Sequence, residues 1–167
     1  MNQLMWCRVL LAMLTCSACI GATGCASDGR VPPARGDAFM VEMMYRDDGN
    51  VIALYRVEED GTFGFGGGQN ALAERMSYTT ILSVDDLDTL QLRIDEARWA
   101  YEDIESTNEP ETRRYDIRYE WPTGWARHKV RGESQRIRPV HDLLIEFSER
   151  RLQRDLDTLP KPGIQRR

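Results

Sequence analysis

The sequence predicts an α+β domain built on a mainly antiparallel sheet, in the order ββββαββα, with its helices packed on one face. Short runs of alternating apolar residues, broken by Asp-Gly and Pro-Thr-Gly turns, supply the strands. Two longer stretches with apolar residues three and four apart supply the helices. The chain has 167 residues, 41% of them apolar and 29% charged, which suits one globular domain and excludes general disorder.

Phe39 to Phe65 reads as a three-strand meander. Phe39, Val41, Met43 and Tyr45 alternate with Met40, Glu42, Met44 and Arg46. Both sets are partly apolar, so cover on much of both faces is expected. Asp48-Gly49 and Asp60-Gly61 are two-residue hairpin signals, because a type I′ turn needs positive φ at both central positions. Val51 to Glu58 is the return strand and Thr62 to Phe65 the third. Gly66 to Asn70 reads as a flexible loop, and Met76 to Leu82 as a fourth strand rich in β-formers. Ser83 is placed to cap a helix that Asp85, Asp86 and Asp88 favour at its positive end. Leu87, Leu90, Ile94, Ala97 and Tyr101 are its sheet-facing stripe. After a polar loop, Tyr115, Ile117, Tyr119 and Trp121 alternate with polar residues in a strand buried on one side. Pairing Trp121 with Ala126 across the following turn puts Ala126, His128 and Val130 inside and Arg127, Lys129 and Arg131 outside. A one-residue slip would bury three cations. Pro139 suits the first turn of a last helix, with Val140, Leu143, Leu144 and Phe147 as its apolar stripe, continued by Leu152, Leu156 and Leu159.

The N-terminal segment has a different character. Arg8 precedes Val9 to Ile20 (VLLAMLTCSACI), an apolar or small-residue stretch too short to span a bilayer, which takes about 20 residues. Ala22-Thr23-Gly24-Cys25 then resembles a bacterial lipoprotein signal, in which small residues precede a Cys that is lipidated and becomes the new N-terminus. Ala22 departs from the Leu usual at the first of those positions, and Cys19 is a second candidate. An ordinary signal peptide, cut near Gly24 or Ala26, is the competing reading. The resemblance implies a signal peptide over 1–24 and a lipid such as palmitate on Cys25, and the polar run Ser27 to Asp37, broken by Gly29, Pro32, Pro33 and Gly36, makes 25–38 a lipidated N-terminus and flexible tether. Ala26 in place of Asp implies an outer-membrane location facing the periplasm. The folded domain is expected over 39–159 and a loose tail over 160–167. In general form this domain resembles small envelope lipoproteins, a likeness that carries no site residues across.

The formal net charge of −5 argues against a nucleic-acid binder driven by bulk positive charge. The charge is unevenly spread. Residues 42–112 hold 17 acids and 5 bases, whereas residues 113–138 hold 8 bases and 3 acids. The basic stretch comprises Arg113, Arg114, Arg118, Arg127, Lys129, Arg131, Arg136 and Arg138. It can serve as a surface for an envelope protein or an anionic glycan, or it can be neutralised within the molecule by the acidic meander. On the first reading the partner-binding residues are Arg118, Trp121, Trp125, Arg127 and Lys129, since Trp and Arg dominate interface energetics.

His128 and His141 are the only histidines. The register places His128 beside Tyr119 on the inner face, where a structural role is expected. No local metal-ligand motif, P-loop or G-x-S-x-G nucleophile signature occurs, so neither a cofactor nor a catalytic residue is assigned. The function expected is a membrane-anchored, non-enzymatic binding or assembly module of the envelope. The alternative is a hydrolase or binder of an envelope polymer, using carboxylates and His128.

Overall fold

The computed structural model describes residue 34 and residues 36–48, 52–107, 113–132 and 134–158. The signal segment, Cys25, most of the tether, Gly49 of the first turn and the tail from 159 lie outside the described residues. Six strands form one antiparallel sheet: β1 Met40–Arg46, β2 Ile52–Val57, β3 Thr62–Gly67, β4 Tyr78–Ile81, β5 Arg114–Trp121 and β6 Gly124–Arg131. Their spatial order is β4-β3-β2-β1-β5-β6. The helices are α1 Gln69–Leu72, α2 Val84–Glu96 and α3 Arg138–Thr158. The two predicted helices, α2 and α3, give the expected α+β architecture, and α1 is a single added turn.

One sheet face carries Val41, Met43, Tyr55, Val57, Phe63, Phe65, Ile117, Tyr119, Ala126 and Val130, all buried with Leu90, Ile94, Leu144 and Phe147 of the long helices. Phe63 meets Phe147 edge-on at 5.7 Å between ring centroids. Such dense aromatic and aliphatic packing is the main stabilising term of the domain. Helix α2 begins with a full capping box. Ser83 Oγ accepts from the Asp86 N–H, and Asp86 receives the Ser83 N–H in return.

Several local expectations are corrected. The β2–β3 hairpin has a three-residue loop, Glu59-Asp60-Gly61, closed by Glu58 N–H donating to Thr62 O at 2.9 Å. Only Gly61 takes positive φ (81°), as in a type I turn followed by a left-handed residue. Strand β3 continues through Gly67 instead of ending at Phe65. The chain then folds back as α1 over the second sheet face, and a Cβ at Gly66 would sit 2.2 Å from Arg75 O. The glycines expected to make a loop therefore floor a close backbone crossing.

Helix α2 ends at Glu96 rather than reaching Tyr101. Arg98 turns the chain at φ 59°, so Trp99 becomes fully buried while Tyr101 is left half exposed. In α3 Val140, Leu144 and Phe147 are buried and Leu143 partly so, but Leu152 and Leu156 are exposed. The β5–β6 register pairs Trp121 with Gly124 and Tyr119 with Ala126, two residues from the expected Trp121–Ala126 pairing. A shift of two preserves every face assignment. The indole of Trp121 fills the space that a Cβ at position 124 would need, with its ring carbon 2.7 Å away. The turn is therefore the tight pair Pro122-Thr123.

Candidate functional site

The long helices cover one face of the sheet, and α1 covers part of the other, above β2 and β3. Over β1, β5 and β6 no helix among the described residues covers the second face. Strand alternation sends Arg114, Asp116, Arg118 and Glu120 of β5 to that face, along with Trp125, Arg127, Lys129 and Arg131 of β6. Glu42, Met44 and Arg46 of β1 join them. A depression of about 560 Å³ lies at the Arg46 end, with Glu74 and Ser106 also on its walls. That volume is within the range of small-molecule sites.

Charge compensation on this face is selective. Glu42 accepts from Arg56 Nε at 2.7 Å, Glu120 accepts from Arg118 Nε at 2.7 Å, and Asp116 takes both ends of the Arg127 fork at 3.2 Å. These pairs answer the intramolecular reading for the middle of the sheet. They do not answer it for the end. Arg46 stands opposite Arg114, and Arg114 stands opposite Arg131. Lys129 lies one row away, opposite Asp116, whose carboxylate is engaged by Arg127. Among the described residues, no carboxylate lies within ion-pair distance of Arg46, Arg114, Lys129 or Arg131.

The residues singled out from the sequence divide between the two faces. Arg118, Arg127, Lys129 and Trp125 share the open face, and Trp125 is 60% exposed. Trp121 does not join them. It is 6% exposed, with its ring 5.0 Å from that of Tyr119 in the core. Period-two alternation places Trp121 and Trp125 on opposite faces, because a two-residue turn separates them. Arg136 and Arg138 also leave the group, pairing with Glu102 and Asp142. Arg46 was missed because it lies outside the basic stretch in sequence. Only the β1–β5 pairing brings it to Arg114.

The histidines are separate core residues. His128 lies opposite Ile117 and not Tyr119, and its Nε2 is 2.9 Å from the backbone oxygen of Trp99. It is buried and lines neither the basic depression nor the smaller one beside Ile104. His141 packs against the rings of Tyr45, Tyr55 and Tyr115 at 4.6, 5.6 and 5.4 Å. Burial brings its imidazole down to about 4, with Arg113 adding to the drop and Asp142 opposing it, so the ring is neutral at neutral pH. The same burial pushes Tyr55 up to about 12. Among the described residues, no group of three or more His, Cys, Asp or Glu is placed to hold a metal ion. No helix among them is long and apolar enough to cross a membrane.

No protein-family model matches the chain, and no curated protein sequence matches it.

Proposed function

We propose that the chain is a lipid-anchored protein of the cell envelope whose folded domain is a non-enzymatic binding module for an anionic partner. The observation that carries the binding half of this reading is the open face of β1, β5 and β6. There the cations Arg46, Arg114, Arg118, Arg127, Lys129 and Arg131 outnumber the carboxylates Glu42, Asp116 and Glu120. The exposed Trp125 on the same face adds an aromatic contact of the kind that anchors interfaces. The anchor half rests on Arg8, the short apolar run and the Ala22-Thr23-Gly24-Cys25 signal. The lipid would hold the protein at the outer membrane, facing the periplasm. Residues 26–38 could reach about 40 Å if extended, enough to let the domain meet partners away from the bilayer.

Two experiments test the two halves separately. For the anchor, Cys25→Ser in the full-length protein is expected to abolish fatty-acid labelling and membrane retention. Retention with lipid still attached contradicts the anchor. For the surface, crosslinking and co-purification from native envelopes is expected to recover an anionic glycan or acidic protein. The Arg127→Glu/Lys129→Glu pair is expected to lose that partner, and unchanged recovery contradicts the surface.

A further inference from the structure

We propose that the depression at the Arg46 end of the open sheet face is a binding site for a small solute carrying clustered phosphate groups, held by Arg46, Arg114, Arg131 and Lys129. This deepens the reading of that face as an anion-binding surface and rests on it. The first argument is the row itself. Three arginines stand in one row on three adjacent strands, their backbones spanning about 10 Å at strand spacings of about 4.8 Å. Like charges directly opposite each other on a sheet are destabilising. Edge protection accounts for cations on the outermost strand β6, because charged side chains discourage pairing with another chain. It does not account for Arg46 and Arg114, which stand on the inner strands β1 and β5.

The second argument is chemical. A carboxylate offers two oxygens in one plane to one guanidinium fork. A phosphate group offers more oxygens and nearly two charges, so neighbouring forks can share it. Two or three linked phosphates match the row in charge and in span.

The third argument is shape. Glu42, Asp116 and Glu74 line the same depression as the cations. A flat bilayer would be pressed against those carboxylates, whereas a small ligand can enter between them. The occupant favoured is therefore a phosphate-bearing solute and not the headgroups of the anchoring membrane.

The test is calorimetric titration of the full-length protein in detergent with tripolyphosphate at low salt, repeated with short poly-glutamate and, for the Cys25→Ser protein without detergent, with phosphatidylglycerol vesicles. Wild type is expected to bind tripolyphosphate saturably, and Arg114→Gln/Arg131→Gln to weaken it at least tenfold. The same double variant is expected to melt at the same or a higher temperature, because it relieves repulsion. That separates lost binding from lost folding. Arg127→Glu/Lys129→Glu removes Lys129 as well, so it reports on the wider face. Should tripolyphosphate fail to bind while vesicles or poly-glutamate bind and are lost in that variant, the phosphate site is overturned and the open-face reading survives. If none of the three binds, both are overturned. Tripolyphosphate binding that is unaffected by Arg114→Gln/Arg131→Gln overturns the site assignment.

Discussion

Arg114 and Arg131 stand directly opposite each other across β5 and β6, and Arg46 extends the pair to a third strand. Among the described residues no carboxylate pairs with this row, so within the sheet its members repel one another. Each opposed like-charge pair costs on the order of a few tenths of a kcal/mol up to about 1 kcal/mol. Arg114→Gln is accordingly expected to stabilise the domain by about 0.5 kcal/mol at low salt. The gain should shrink as salt is added, since screening weakens the repulsion being relieved. Chemical denaturation at two ionic strengths checks this, and a loss of stability at both would show that Arg114 has an internal partner.

His141 makes the fold acid-sensitive in a defined window. Its folded value, about 4, is below the unfolded 6.5. Above 6.5 both states are neutral and the residue contributes no pH dependence. As pH falls from 6.5 towards 4, the unfolded chain takes up the proton first, so stability is lost across that window. The full effect is about 3 kcal/mol at 1.4 kcal/mol per unit of difference. His141→Leu is expected to flatten the stability profile between pH 6.5 and 4. Denaturation midpoints measured across that range check it, and an unchanged slope would place the acid sensitivity elsewhere.

Asp86 joins two helices. Its carboxylate caps α2 through Ser83 and takes both ends of the Arg150 fork from α3, at 2.8 and 2.9 Å. The hydrogen bonds from Arg150 are the largest influence on it and, with those of Ser83, hold it at about 2. Because the folded value lies below the unfolded 3.8, its contribution is present above pH 3.8 and is lost as pH falls through about 2. Asp86→Ala is expected to cost about 1–2 kcal/mol, the range for losing a helix cap. A thermal melt near neutral pH measures this, and a cost near zero would mean that neither the cap nor the Arg150 contact contributes.

The crossing of α1 over β3 depends on Gly66. With Arg75 O only 2.2 Å from the position a Cβ would take, Gly66→Ala must push backbone apart. A destabilisation above about 2 kcal/mol is expected, typical of overpacking at a backbone contact. Gly68→Ala is a poor control because Gly68 has positive φ. Thr79→Ala, on the neighbouring exposed strand position, should be far milder, and equal losses would argue against the steric cause.

Burial periodicity made the strands legible. Tyr115, Ile117, Tyr119 and Trp121 alternate so cleanly that β5 was readable to its ends, and the faces of β6 followed from keeping cations out of the core. The register of that hairpin was less legible, because a shift of two leaves every face unchanged and only the fit of the Trp121 indole against Gly124 decides it. The end of α2 was hidden for a related reason. Leu90, Ile94, Ala97 and Tyr101 keep helical spacing past the point where Arg98 breaks the helix, so periodicity alone carried the reading too far. The candidate site was only half legible. Arg114, Lys129 and Arg131 stood in one basic stretch, but Arg46 is about seventy residues away in sequence and enters only through strand order. Trp121 was grouped with Trp125 by nearness in sequence, and strand alternation separates them.

The most direct test of the open face as an anion site is amide-shift mapping by NMR, with tripolyphosphate added to the folded domain. Shifts concentrated at residues 44–46, 114–116 and 129–131, and absent in Arg114→Gln/Arg131→Gln, are the result expected. Shifts centred on α2 or β4, or spread evenly over all exposed cations, would contradict it.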